Sequence, residues 1–404
     1  MGAWVLRKLL VGVAVVASLL SLVGTARLVG PRGEPEAGAV KQLRFLKSAL
    51  DGGADQNAQE LKPEGFFFLN VLYGLSWIQV GMASPELAEE AVREAKWSLD
   101  RLNSSPGTAP FDRALAPQYG VFHAGWTNWL RGGIVMLQPV EQRDLAEYTS
   151  VSAELAKAFD ESRTPYLEAY PGQAWPVDST VAVASLALYN QLVTPRFAPT
   201  VERWVAGVKT RLDPATGLMP HQVTPVSTGA RGTSQTVMHR FLLEIDPAFA
   251  RSQYEVYREK FVTRFGPAVL EYPKGTSGSG DVDSGPLIFG VSLSATTVAL
   301  GAARVQHDAL AGVLAREGEL LGVPVSGPDT KRYALGLMPI GDVFVAWSST
   351  ARPFVANEQP ALPSVSGWWW WIPWLLLVWA PSLVLWGFVR LTRRRIDGRG
   401  AADQ

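Results

Sequence analysis

The chain of 404 residues contains no cysteine, which removes disulfides, zinc–thiolate sites and a thiol nucleophile together. It also lacks an excess of either charge. Its 37 Lys and Arg balance 37 Asp and Glu, so the basic footprint of a nucleic-acid binder is missing. Strand-like alternation is scarce and no Asn-Gly hairpin signal occurs. There is no HExxH helix, no Gly-x-Ser-x-Gly elbow, no P-loop and no dinucleotide fingerprint. The run GSGDVDSG has neither the regular ligand spacing nor the closing Glu of a calcium loop. No metal and no cofactor is expected.

What the chain has in quantity is apolar helix. Residues 1–30 carry Arg7 and Lys8 followed by an uncharged stretch from Leu9 to Ala26, the pattern of a signal peptide or of an uncleaved N-terminal anchor. Its 18 residues, at about 1.5 Å each, barely cross a hydrocarbon core of about 30 Å. Gly24 and Ala26 offer a small-x-small cleavage pattern, and the anchor is the reading we favour. Residues 368–389 (WWWWIPWLLLVWAPSLVLWGFV) are uncharged, and Arg390, Arg393, Arg394 and Arg395 follow. The length suits a transmembrane helix, the tryptophans suit an interfacial belt, and the arginines place the 390–404 tail in the cytoplasm. With linkers at 31–39 and 351–367, this predicts a domain at 40–350 held on the outer (periplasmic) side of a bacterial plasma membrane. The first partner expected is therefore the lipid bilayer.

Within that domain, buried and exposed helices alternate. Gly65 to Met82 is apolar throughout, whereas the next segment, opened by Ser84-Pro85-Glu86, carries its charges on one face. Tyr119–Met136 with Glu141–Asp160, Gln173–Leu192 with Phe197–Leu212, and Ala230–Ile245 with Pro247–Phe265 repeat the theme. Leu287–Ala303 with His307–Leu321 and a last core-like segment, Tyr333–Ser348, complete it. A period of about 50 residues signals a repeat architecture. The predicted fold class is all-α, an (α/α)6 toroid with inner and outer helices, and an open solenoid is the competitor.

In a toroid the loops leading to the inner helices share one mouth. Those loops hold Tyr119, His123 and Trp126; Trp175 and Asp178; Arg231 and Gln235; and Tyr272, Asp281 and Asp283. His221 lies in the turn LDPATGLMPHQ. Asp178 and Asp283 share the form Val-Asp-Ser before an apolar run, which is equally the form of a helix cap. As chemistry, they make a general acid and base, with His123 and His221 as further proton carriers. Tyr119, Trp126, Trp175, Arg231, Gln235, Tyr272 and Asp281 are the candidate substrate contacts.

The segments YPGQAWPVDSTVAVASL, LDPATGLMPHQ, ARGTSQ and GDVDSGPLIFG resemble those of the six-hairpin (α/α)6 toroids. They are nearest to the linalool dehydratase/isomerase-like group, then to the six-hairpin glycosidases. The first resemblance implies a lyase or isomerase on an amphiphilic alcohol, with His123 near the substrate, but that chemistry also uses cysteines this chain does not have. The second implies paired carboxylates, here Asp178 and Asp283, acting on a glycan. A glycosidase-like hydrolase is the leading expectation, slightly ahead of a non-catalytic envelope module, with the lyase or isomerase close behind. The module stays in contention because fold alone licenses no activity.

Overall fold

The computed structural model describes residues 2–30, 35–139, 141–355 and 359–400. Its helices, in chain order, are α1 (Gly2–Val29), α2 (Pro35–Asp51), α3 (Ala54–Leu61), α4 (Gly65–Ala83), α5 (Ala88–Leu102), α6 (Ser105–Thr108), α7 (Gly120–Leu137) and α8 (Gln142–Glu161). There follow α9 (Pro176–Leu192), α10 (Ala198–Lys209), α11 (Gly232–Ile245), α12 (Pro247–Phe261), α13 (Leu293–Val305), α14 (Leu310–Leu321), α15 (Pro339–Ser349) and α16 (Ile372–Gly400). One hairpin of β1 (Val325–Ser326) and β2 (Lys331–Arg332) is the sheet among the described residues.

Six of these helices form a closed ring. Each of α4, α7, α9, α11, α13 and α15 packs on the next, and α15 returns to α4. These are the helices whose sequence is apolar or small nearly all round. All but three residues of the 19 in α4 are buried, because a helix apolar on every side is stable only when covered on every side. Small residues let the ring close tightly: a Cβ on Gly125 of α7 would meet the Ala182 backbone of α9 at 3.0 Å. Outside stand α5, α8, α10, α12 and α14, each against the inner helix before it, with α2 against α15 and α4. In α5 the buried positions Ala91, Val92, Ala95, Ser98, Leu99 and Leu102 follow helical spacing, so one stripe faces in and the charges face out. The fold is the all-α toroid, and closure of the ring excludes the open solenoid.

Because each outer helix returns antiparallel to its inner partner, all six inner N-termini lie at one end, the mouth. The lumen beneath is filled. Trp126 meets Phe241 and Trp347 at 5.3 and 5.7 Å between centroids, and the Arg240 guanidinium lies 3.6 Å over the Trp347 ring. At the opposite end, residues 350–355 close the ring. Phe354 stacks on Trp129 at 4.5 Å, its N–H donates to Glu244 Oε1 at 2.7 Å, and Arg304 Nε donates to the Ala351 carbonyl at 3.0 Å.

Several expected boundaries move. Residues 31–34 of the expected 31–39 linker lie outside the described residues, and from Pro35 the chain is already helical, with proline at the helix start, where its missing N–H costs nothing. Helix α13 begins at Leu293, not Leu287. Phe289 and Gly290 take positive φ (52° and 81°), a turn that no helix continues through, and Ser292 Oγ caps the helix by accepting from Ala295 N–H at 3.1 Å. Asp283 is therefore no helix cap. The expected 351–367 linker is instead a strap: after closing the ring it runs along α12, with Gln359 Nε2 on the Pro247 carbonyl and Arg258 on the Pro363 carbonyl. Of the tail, residues 401–404 lie outside the described residues.

Among the described residues, three helices are long and apolar enough to cross a membrane by length and composition. One of them, α4, is an inner helix of the ring. The other two, α1 and the 368–393 segment, pack on each other as an antiparallel hairpin through small and hydroxyl side chains. Ser18 Oγ meets Ser382 Oγ at 2.7 Å, Ser21 Oγ donates to the Val378 carbonyl at 2.8 Å, and Trp379 Nε1 donates to Thr25 Oγ1 at 3.0 Å.

Candidate active site

A cleft of about 610 Å³ opens at the mouth. Its wall includes Trp175, His221, Arg231, Tyr272, Asp281 and Asp283, drawn from three different lead-in loops. Residues about 110 positions apart in the chain meet there because the ring brings α9, α11 and α13 side by side.

Arg231, immediately before α11, organises one side. Its Nε donates to Glu271 Oε1 at 2.7 Å, its Nη1 contacts Asp281 Oδ2 at 2.6 Å, and its guanidinium lies 5.2 Å over the Tyr272 ring. Glu271 in turn accepts from the Thr233 backbone N–H and hydroxyl at 3.2 and 2.9 Å. The Gly-rich loop closes over Tyr272, whose hydroxyl donates to the Ser279 carbonyl at 2.9 Å. A Cβ at 278 would lie 2.3 Å from the ring, so any other residue there displaces the Tyr272 side chain. Asp281 stays below the usual carboxylate range: burial opposes this, but the Ser284 N–H and Arg231 outweigh it. His221 Nδ1 bonds Ser234 Oγ at 2.5 Å. Burial first, then Arg231, lowers its pKa to about 4, so the ring is neutral at physiological pH.

Beside the cleft lies an acidic cluster. Asp178, in the first turn of α9, is 5 % exposed, and its carboxyl has no hydrogen-bond partner among the described residues. Burial raises its pKa well above the ordinary value, and the negative charges of Asp283 and Glu64 raise it further. Moving an isolated carboxylate from water into such a site is costly, so burial favours the protonated acid. Asp283 is the exposed member, ion-paired with Lys62. Glu64, just before α4, accepts from the Tyr170 hydroxyl. Tyr170 stacks on Phe111 and meets Trp175 edge-on at 5.9 Å, tying the cluster to the cleft wall.

The remaining candidates go elsewhere. His123 is a core histidine among the Phe67, Phe111 and Tyr119 rings, at 5.3–5.4 Å, with Nε2 at 3.3 Å from the Leu102 carbonyl. Burial lowers its pKa to about 4, and it reaches no part of the cleft wall. Tyr119 covers it from a left-handed turn (φ 67°) before α7. Trp126 belongs to the filled lumen. Gln235 is spent on the Met219 carbonyl, at 2.7 Å. Glu64, Lys62 and Tyr170 of the acidic cluster, and Asp213 in the cleft wall, are the members that sequence reading missed. The signal available for Glu64 was its place immediately before an apolar helix.

No family model and no curated protein matches the chain. Among solved structures it is similar to the GH76 alpha-mannanase of Bacteroides thetaiotaomicron (a selenomethionine derivative) at 13 % identity and a TM-score of 0.39. The match covers 70 % of this chain and 85 % of that one. The ring and the cleft described above rest on the contacts within this chain.

Proposed function

We propose that this is a membrane-anchored hydrolase of glycosidic bonds in the cell envelope, with its toroid outside the cytoplasm. The observation that carries the reading is Asp178: a buried carboxyl beside Asp283 and Glu64, next to a cleft whose wall includes Asp283, Trp175 and Tyr272 but not Asp178 itself. Two carboxyls in unlike environments divide the work of acid and base. Asp178 protonates the departing glycosidic oxygen, and Asp283, exposed and paired with Lys62, serves as the base. Trp175 and Tyr272 supply faces for sugar rings, while Arg231 with Asp281 and neutral His221 supply donors and acceptors for hydroxyls.

The dehydratase-like alternative loses His123, which is enclosed in the core, and keeps His221, which lines the cleft. Two apolar helices and the arginines after residue 389 support the proposed anchoring, with both termini on the cytoplasmic side.

The test is release of reducing ends from a panel of bacterial envelope glycans by the purified full chain. On any glycan that the wild type cleaves, Asp178→Asn and Asp283→Asn are each expected to lower turnover by about 10²–10⁴-fold. Full activity in Asp178→Asn contradicts the assignment.

A further inference from the structure

Three features converge on the mouth end of the ring. First, the hairpin of α1 and α16 projects past it. Arg316 in the middle of α14 reaches the Leu28 and Gly30 carbonyls, while Leu320, nearer the mouth, lies beside Gly24. Following α1 back toward its N-terminus therefore leads beyond the mouth.

Second, the strap carries the chain to that same end before α16 begins. It climbs α12 from Pro247 past Arg258 until Phe265 meets Trp369 at 5.8 Å and Gly266 lies against Trp374.

Third, apolar exposure is concentrated there. Outside the hairpin segments, every exposed large apolar side chain among the described residues except Leu192 sits in or next to a loop leading to an inner N-terminus. Phe289 is fully exposed and held at φ 52°, Leu61 is 90 % exposed and Leu337 79 %. A soluble rim has no reason to gather such residues at one end.

From this convergence we infer that the mouth rests on the bilayer surface, with its apolar rim in the headgroup–acyl boundary. The occupant of the rim is lipid, because the rim is continuous with the helices that enter the membrane. The cleft, built by the same loop that carries Phe289, then takes the polar headgroups of membrane-held molecules, which narrows the substrate of the proposed hydrolase to sugar-bearing lipids. The inference rests on the anchoring proposed above.

The absence of cysteine makes the test clean, since each single-cysteine variant carries one label. Phe289→Cys, Leu337→Cys, Leu192→Cys and Leu20→Cys (in α1) are labelled with an environment-sensitive fluorophore. The full chain is then reconstituted in nanodiscs of phosphatidylcholine and phosphatidylglycerol with or without nitroxide-bearing lipid. Labels at 289 and 337, held about 5–10 Å into the interface, are expected to lose about half or more of their emission to the nitroxide, and the label at 192 to be unaffected. Quenching at 20 without quenching at 289 and 337 overturns the inference while leaving the anchor intact. No quenching at 20 removes the anchor and the inference with it. Oxidative crosslinking of 289 between copies, without quenching, makes the rim a subunit interface and also overturns it. A glycolipid in the disc that slows labelling of Val282→Cys in the cleft wall, where the soluble sugar does not, supports the substrate class; equal protection by both overturns it.

Discussion

Asp178 separates two physical readings of a single side chain. As a neutral acid in a buried site, it binds a proton in the folded chain at pH values where the unfolded chain has released it. The native state then holds more protons, so this group's contribution to stability falls as pH rises above the ordinary carboxylate range toward the raised folded value. Replacing it with the neutral isostere Asn removes that loss. Thermal unfolding at pH 8 is expected to show Asp178→Asn at least as stable as the wild type while glycan turnover collapses. A helix-terminal carboxylate acting only through the helix dipole predicts the reverse sign, a loss of about 0.3–1 kcal/mol with no catalytic effect. Arg231 admits a similar comparison. Arg231→Lys keeps the charge but cannot span Glu271 and Asp281 together, so KM for a cleaved glycan is expected to rise several-fold with little change in fold.

Among the elements, inner helices are the most legible in the sequence. Their uncharged, small-residue stretches leave no face for water, and Gly65–Ala83 lies within one residue of its expected span. The α7–α9 contact shows why small residues recur: Gly125→Ala places a methyl group on the Ala182 backbone, which cannot rotate away. A loss of about 1–3 kcal/mol is expected from this one carbon, read by denaturant or thermal unfolding. The lead-in loops were legible in residue type but not in detail. Arg231, Tyr272, Trp175 and His221 do meet in one cleft, because the closed ring sets α9, α11 and α13 side by side. Whether a given histidine points into the cleft or the core depends on which neighbours the ring supplies. His123 and His221 look alike in sequence, and only the Phe67–Phe111 cage distinguishes them. The start of α13 was misplaced because apolar composition continues through a turn that two positive φ values impose.

On the scale of the whole molecule, one of the contacts joining the toroid to the hairpin is Glu317 of α14, which accepts from Trp374 Nε1 at 2.6 Å. Burial raises its pKa to about 8 despite that hydrogen bond. The folded chain therefore keeps a proton here that the unfolded chain releases near pH 4.5, and the stabilisation present below that value declines through about pH 8. Glu317→Gln retains an acceptor for Trp374 and is expected to flatten the fall in thermal stability between pH 5 and pH 8 in detergent. An unchanged slope assigns the coupling to other groups. Closure of the ring is what gathers Asp178, Asp283 and Glu64 at one mouth and keeps the buried carboxyl protonated. Infrared difference spectroscopy of the wild type against Asp178→Asn at pH 7 tests this without any substrate. The account predicts a protonated-carboxyl stretch that vanishes in the variant; the loss of carboxylate bands instead would show Asp178 ionised and contradict it.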